Sequence, residues 1–231
     1  SITDKPLVSF GSGGSVEYLS VTITAQKDGL FLSQSTYLKD LLSKWSMEEC
    51  RSLGSLDDVP DTADDGAEPD LKDVRMAQRL AGGLNWLATR TRPDISFYVS
   101  QLSSAATRAP LRAIALGKRC LRYLRGTCDH GIKLSSSSQR CQGSGRLEGF
   151  GDASYEMGWG QTGSLIKLDG STICWKSTKQ PQVPRSTAES EVTAMAYTSQ
   201  MFEGVACLFH SMRIDVGSPV LLCGNRAVFH I

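Results

Sequence analysis

The chain has 231 residues, 40% of them hydrophobic and 21% charged, which suits a globular protein of one large or two small domains. No apolar run approaches the ~20 residues that span a bilayer, and no basic-then-apolar leader opens the sequence. The formal net charge of +1 hides an asymmetry, with −8 over residues 48–73 and +9 over 74–128, so nucleic acid is a candidate partner of the basic stretch.

The sequence starts at Ser1, not Met, and is expected to be a fragment or a processed piece. Seven cysteines, Cys50, Cys120, Cys128, Cys141, Cys174, Cys207 and Cys223, lie far apart. Without a secretory leader they are expected to be reduced thiols of a cytoplasmic or nuclear protein. Cys120, Cys128, His130 and Cys141 form no CxxC pair, and their spacing fits no common zinc pattern.

Along the chain, Leu19, Val21, Ile23 and Ala25 alternate with polar residues as in a strand. Asp28-Gly29 is the expected turn and Leu30-Phe31-Leu32 the return. Tyr37, Leu38, Leu41, Leu42 and Trp45 then recur at helical spacing. Residues 51–70 are acidic, aperiodic and carry two prolines, and are expected to be a loop. Residues 73–90 and 94–106 read as helices separated by Arg92-Pro93. A third helix runs over 111–125. Its Ile114, Gly117, Leu121 and Leu124 share one face, and Arg112, Lys118, Arg119, Arg122 and Arg125 fall in an adjoining arc.

SSSSQRCQGSGR (135–146) reads as a flexible linker between two units, 1–134 and 147–231. Beyond it, 147–155, 164–168 and 171–176 look like strands, with Asp169-Gly170 turning the second into the third. A helix starts at Ser186, which has capping-box spacing to Glu189. PVLLC (219–223) is expected to be a further strand, buried on both faces. The outline is α+β.

A strand carrying Asp152, a helix opening with Glu191 and a later strand can bring carboxylates together around divalent metal. On pattern alone, Asp152 as a turn residue and Glu191 as a solvated helix residue remain an open alternative.

Several blocks in order resemble the C-terminal part of a copia-type retrotransposon Pol polyprotein. GLFLSQSTYLKDLL (29–42) is similar to the segment after the reverse-transcriptase palm. LAGGLNWLATRTRPDISFYVSQLSS (80–104) and LRYLRGTCDHGI (121–132) are similar to two blocks that follow it. GFGDASYE (149–156), ICWKSTKQ (173–180) and STAESEVTAM (186–195) are similar to its ribonuclease H domain. The resemblance implies a hairpin-and-helices region, then a ribonuclease H-like mixed sheet with flanking helices, truncated at the C-terminus.

It also implies that Asp152 and Glu191 are catalytic ligands of Mg²⁺ or Mn²⁺ in hydrolysis of RNA within RNA–DNA hybrids. The third ligand of the family is the Asp of a C-D-N motif, which reads Cys223-Gly224-Asn225 here. Strand alternation turns Cys223 and Asn225 away from the face of Gly224, so neither replaces it. Asp215, in the approach loop, is the remaining substitute. The polymerase Tyr-Val-Asp-Asp motif is absent.

Two function classes follow. One is a hydrolase of hybrids, impaired at Gly224. The other is a catalytically inactive nucleic-acid-binding module or vestige, gripping a duplex through the five cations of the third helix with Lys176 and Lys179. The rest of the Pol polyprotein is an expected partner, and a membrane is not. A thiol hydrolase pairing a cysteine with His130, His210 or His230 has no supporting motif.

Overall fold

A computed structural model describes residues 13–56, 69–135, 145–156, 159–218 and 220–223. The first sheet is antiparallel, in the order β1 (Ser15–Tyr18), β2 (Val21–Gln26), β3 (Gly29–Ser33) and β4 (Ile132–Ser135). Tyr18 pairs with Val21, so Leu19 lies in the two-residue turn and not in a strand. Leu19 and Ser20 both take positive φ, 49° and 61°, the backbone that a type I′ hairpin demands. The next turn is one residue earlier than expected. Gln26 pairs with Gly29, leaving Lys27-Asp28 at the tip. Gly29 is needed for a different reason, since a Cβ there would lie 2.0 Å from the Leu134 carbonyl oxygen of β4.

The helices are α1 (Ser35–Lys44), α2 (Leu71–Ala88), α3 (Ser96–Ala105, after a 3₁₀ turn at Pro93–Ile95) and α4 (Pro110–Gly126). Asp70 caps α2 by accepting from the Lys72 amide at 2.9 Å. Pro110 opens α4, where its missing N–H costs nothing. The apolar stripes meet in one core that includes Leu38, Leu80, Leu84, Leu102, Leu121 and Leu124. Ile114, Gly117, Leu121 and Leu124 are all buried, as their shared face requires.

The second sheet has the order β7-β6-β5-β8, from β5 (Leu147–Glu156), β6 (Trp159–Leu168), β7 (Ser171–Lys179) and β8 (Val220–Cys223). β5, β6 and β7 form an antiparallel meander, and β8 runs parallel to β5. Asp169-Gly170 makes the expected turn, with φ of 48° and 78°. α5 (Thr187–Ser211) crosses one face and packs Phe202 against Leu147 and Ile166. β8 is not buried on both faces. Val220, Leu221 and Leu222 are 36–39% exposed because, among the described residues, β8 is an edge strand.

Among the described residues, three polar contacts join the two sheets and their helices. The Trp175 indole donates to the Ala88 carbonyl at 2.6 Å, Gln161 Nε2 donates to Ser100 Oγ at 3.0 Å, and the Ser135 amide donates to Ser171 Oγ at 3.0 Å. Among the described residues, no helix is long and apolar enough to cross a membrane.

Candidate functional site

β5 carries small residues on one face. A Cβ on Gly149 would meet Phe202, and one on Gly151 would meet Thr198 and Met195, so the odd-numbered positions lie beneath α5. Alternation then turns Phe150, Asp152 and Ser154 to the opposite face, where all three line a cleft of about 670 Å³ with Asp94, Ser96 and Phe97. Asp152 is exposed.

Glu191 sits on the other side of the sheet. It is 8% exposed, one helical position beyond the fully buried Ser190. The start of α5 is pinned by Gln180, which lies at the end of β7 and is 5% exposed. Its Nε2 donates to Thr162 Oγ1 at 3.1 Å and to the Ser190 carbonyl at 2.8 Å, while its Oε1 accepts from Ser190 Oγ at 3.1 Å. Gly160 makes room, since a Cβ there would stand 2.3 Å from Gln180 Oε1. Ser186 caps the helix by accepting from the Glu189 amide at 3.1 Å. The Glu189 carboxylate reaches back to the Arg185 amide at 2.6 Å, one residue before the position a capping box uses. The sequence reading assigned Gln180 no role. Its place at the end of the ICWKSTKQ block is the only signal it carries.

Asp152 and Glu191 are thus held on opposite faces of one sheet, and Gly224 lies outside the described residues. Asp215 does not replace it. Its carboxylate accepts from the Gly217 amide at 3.0 Å, beyond the C-terminal end of α5. Glu191 belongs to the N-terminal part of that helix, roughly 30 Å away at 1.5 Å per residue. Among the described residues, no group of three or more His, Cys, Asp or Glu stands close enough to hold a metal ion. The described side chains therefore do not fit a pair of divalent ions, which needs several hard oxygens on one side.

The expected basic face of α4 is divided. Arg112 and Lys118 are exposed, and Arg119 is half-buried. The other two tie down the segment after α1. Arg122 Nε donates to the Arg51 carbonyl at 2.8 Å. Arg125 donates to the Cys50 carbonyl at 2.5 Å and to the Glu48 carbonyl, and pairs with Glu49 at 3.5 Å. Periodicity showed which side of α4 avoids the core but not that a loop covers part of that side. Lys176 and Lys179 are exposed on β7, in the other half of the chain.

No protein-family model matches the chain. It is 32% identical over 196 residues to the uncharacterized mitochondrial protein AtMg00810 of Arabidopsis thaliana, covering 80% of this chain and 77% of that protein. It is 30% identical over 216 residues to the retrovirus-related Pol polyprotein from transposon RE2 of the same plant, covering 90% of this chain but 14% of the polyprotein. The Pol polyprotein from transposon RE1 matches to the same extent. Among solved structures, the foamy viral protease-reverse transcriptase dRH in complex with double-stranded DNA aligns with 91% of this chain and 31% of its own, at a TM-score of 0.41 and 12% identity.

Proposed function

Because the chain belongs to the Pol polyproteins of copia-type transposons, we propose that it is a ribonuclease H-like segment that holds nucleic acid, with hydrolysis of RNA–DNA hybrids impaired or lost. One observation carries this reading. The position that resembles the third metal ligand is Gly224, which supplies neither charge nor side-chain oxygen. The separation of Asp152 and Glu191 by the sheet supports it, as does the lack of a three-ligand cluster among the described residues. Binding without turnover is the function left to exposed cations on a scaffold whose carboxylates do not converge.

The test is hydrolysis of a labelled RNA strand in a hybrid duplex, in millimolar Mg²⁺ or Mn²⁺. The unmodified chain is expected to cut slowly or not at all. Gly224→Asp is expected to raise the rate by less than tenfold, under about 1.4 kcal/mol of barrier, because a third oxygen ligand does not bring together Asp152 and Glu191, which the sheet separates. The proposal is wrong if the unmodified chain cuts the hybrid readily in either metal while chelation and Asp152→Asn each abolish cutting.

A further inference from the structure

A second cleft, of about 350 Å³, lies between the outward side of α2 and α3 and the strand β7. Hydroxyl side chains dominate its lining and no carboxylate enters it, unlike the adjoining cleft with Asp94 and Asp152. Lys176 and Lys179 stand in its wall, both exposed and neither in an ion pair among the described residues. Behind this lining, Gln161, which lines the adjoining cleft, is 2% exposed and reaches across from β6. Its Nε2 donates to Ser100 Oγ of α3 at 3.0 Å and to Ser177 Oγ of β7 at 2.8 Å.

That arrangement leaves the hydroxyl protons available. Each serine oxygen already accepts from the amide, so each O–H is left to donate elsewhere. Ser100 and Ser177 both line the cleft, beside two ammonium groups and no competing acid. Such a set suits a tetrahedral oxyanion, for which charge-assisted hydrogen bonds are the strong ones.

We infer that this cleft is a phosphate site, in which Ser100 and Ser177 donate to the oxygens and Lys176 and Lys179 supply the charge. The inference rests on the nucleic-acid reading above only for the source of the phosphate, which is the backbone of a bound strand. It places the grip at the junction of the two halves of the chain and not along α4. Phosphate contacts of this kind position a strand without reading its sequence.

The test uses the full chain and two variants, Lys176→Gln/Lys179→Gln and Ser100→Ala/Ser177→Ala. Binding of a fluorescent hybrid duplex is followed against salt, and the melting temperature is followed against inorganic phosphate. The lysine variant is expected to weaken duplex binding at least tenfold. It should also flatten the slope of log K on log salt by one to two, since each phosphate contact contributes roughly 0.9. The unmodified chain is expected to be stabilised by inorganic phosphate, and the serine variant to lose that stabilisation. An unchanged salt slope in the lysine variant, with duplex still bound, overturns the inference. If no duplex binds but phosphate stabilises the chain through the serines, the site stands and the nucleic-acid reading falls. If neither duplex nor phosphate acts through these residues, the site is rejected, and normal far-ultraviolet circular dichroism of both variants excludes misfolding as the cause.

Discussion

Arg92 is almost fully buried, with its side chain 3% exposed, and each of its three guanidinium nitrogens donates. It pairs with Asp94 at 2.7 Å and donates to the Thr127 carbonyl at 2.8 Å and hydroxyl at 2.6 Å. Tyr123 adds its own O–H to Asp94 at 2.9 Å. Burial pushes the Asp94 carboxyl up, but the hydrogen bond and charge of Arg92, with Tyr123, outweigh it and hold the group below its ordinary value. A depressed carboxyl adds stability that is present above the unfolded-state value and is lost as pH falls through the folded one. Asp94→Asn should therefore flatten the fall in stability below about pH 4. Asp94→Ala should cost about 3–5 kcal/mol at neutral pH, because it leaves a buried guanidinium unpaired. Urea unfolding across pH checks both. An Asp94→Asn profile as steep as that of the unmodified chain would locate the acid sensitivity elsewhere. A second residue-scale consequence concerns thiols. Burial pushes the Cys120 thiol up to about 12, so it should resist alkylation in the folded chain at neutral pH while the exposed Cys207 reacts.

At the scale of elements, α4 was the most legible part. Its stripe recurs at helical spacing over several turns, and all four residues read onto it are buried. Gly117 is on that stripe for a reason that periodicity cannot supply. A Cβ there would lie 2.2 Å from Leu80 Cδ2 and 2.9 Å from Leu102 Cδ1, and both leucines are fully buried. Gly117→Ala should gain about 1 kcal/mol of helix propensity but lose more to overpacking, since neither neighbour has space to move. A net loss of about 1–2 kcal/mol in urea unfolding is expected, and equal or greater stability would show that α2 and α3 can separate around α4. Two of the short strands were not legible. β1 and β4 have four residues each, and β4 pairs with β3 from a hundred positions away, so no local pattern announces it. The same limit applied to the site. Asp152 and Glu191 were found through resemblance, but the face each occupies depends on which positions of β5 lie beneath α5. That is a packing fact set by Gly149, Gly151, Thr198 and Phe202.

Across the whole molecule, the two hydrophobic clusters are unequal. The helical one includes eleven leucines, whereas the buried members of the sheet one are Leu147, Ile166 and Phe202. Hydrophobic stabilisation grows with apolar area removed from water, so the second sheet is the weaker partner and depends on what it leans against. The junction that supports it is narrow and polar, and Trp175 is its largest member, lining the clefts on either side while its indole reaches Ala88. Trp175→Ala removes both the hydrogen bond and the ring that holds α3 against β7. The Ala88 carbonyl keeps a second donor in Ser96 Oγ at 3.3 Å, so the helical core should be little affected. The expected result is loss of two-state behaviour. In urea, hydrogen exchange should show β5–β7 opening at a lower concentration than α2 and α4, where the unmodified chain opens both together. A single coincident transition in Trp175→Ala, merely shifted to lower urea, would mean that the halves are coupled through contacts other than this junction.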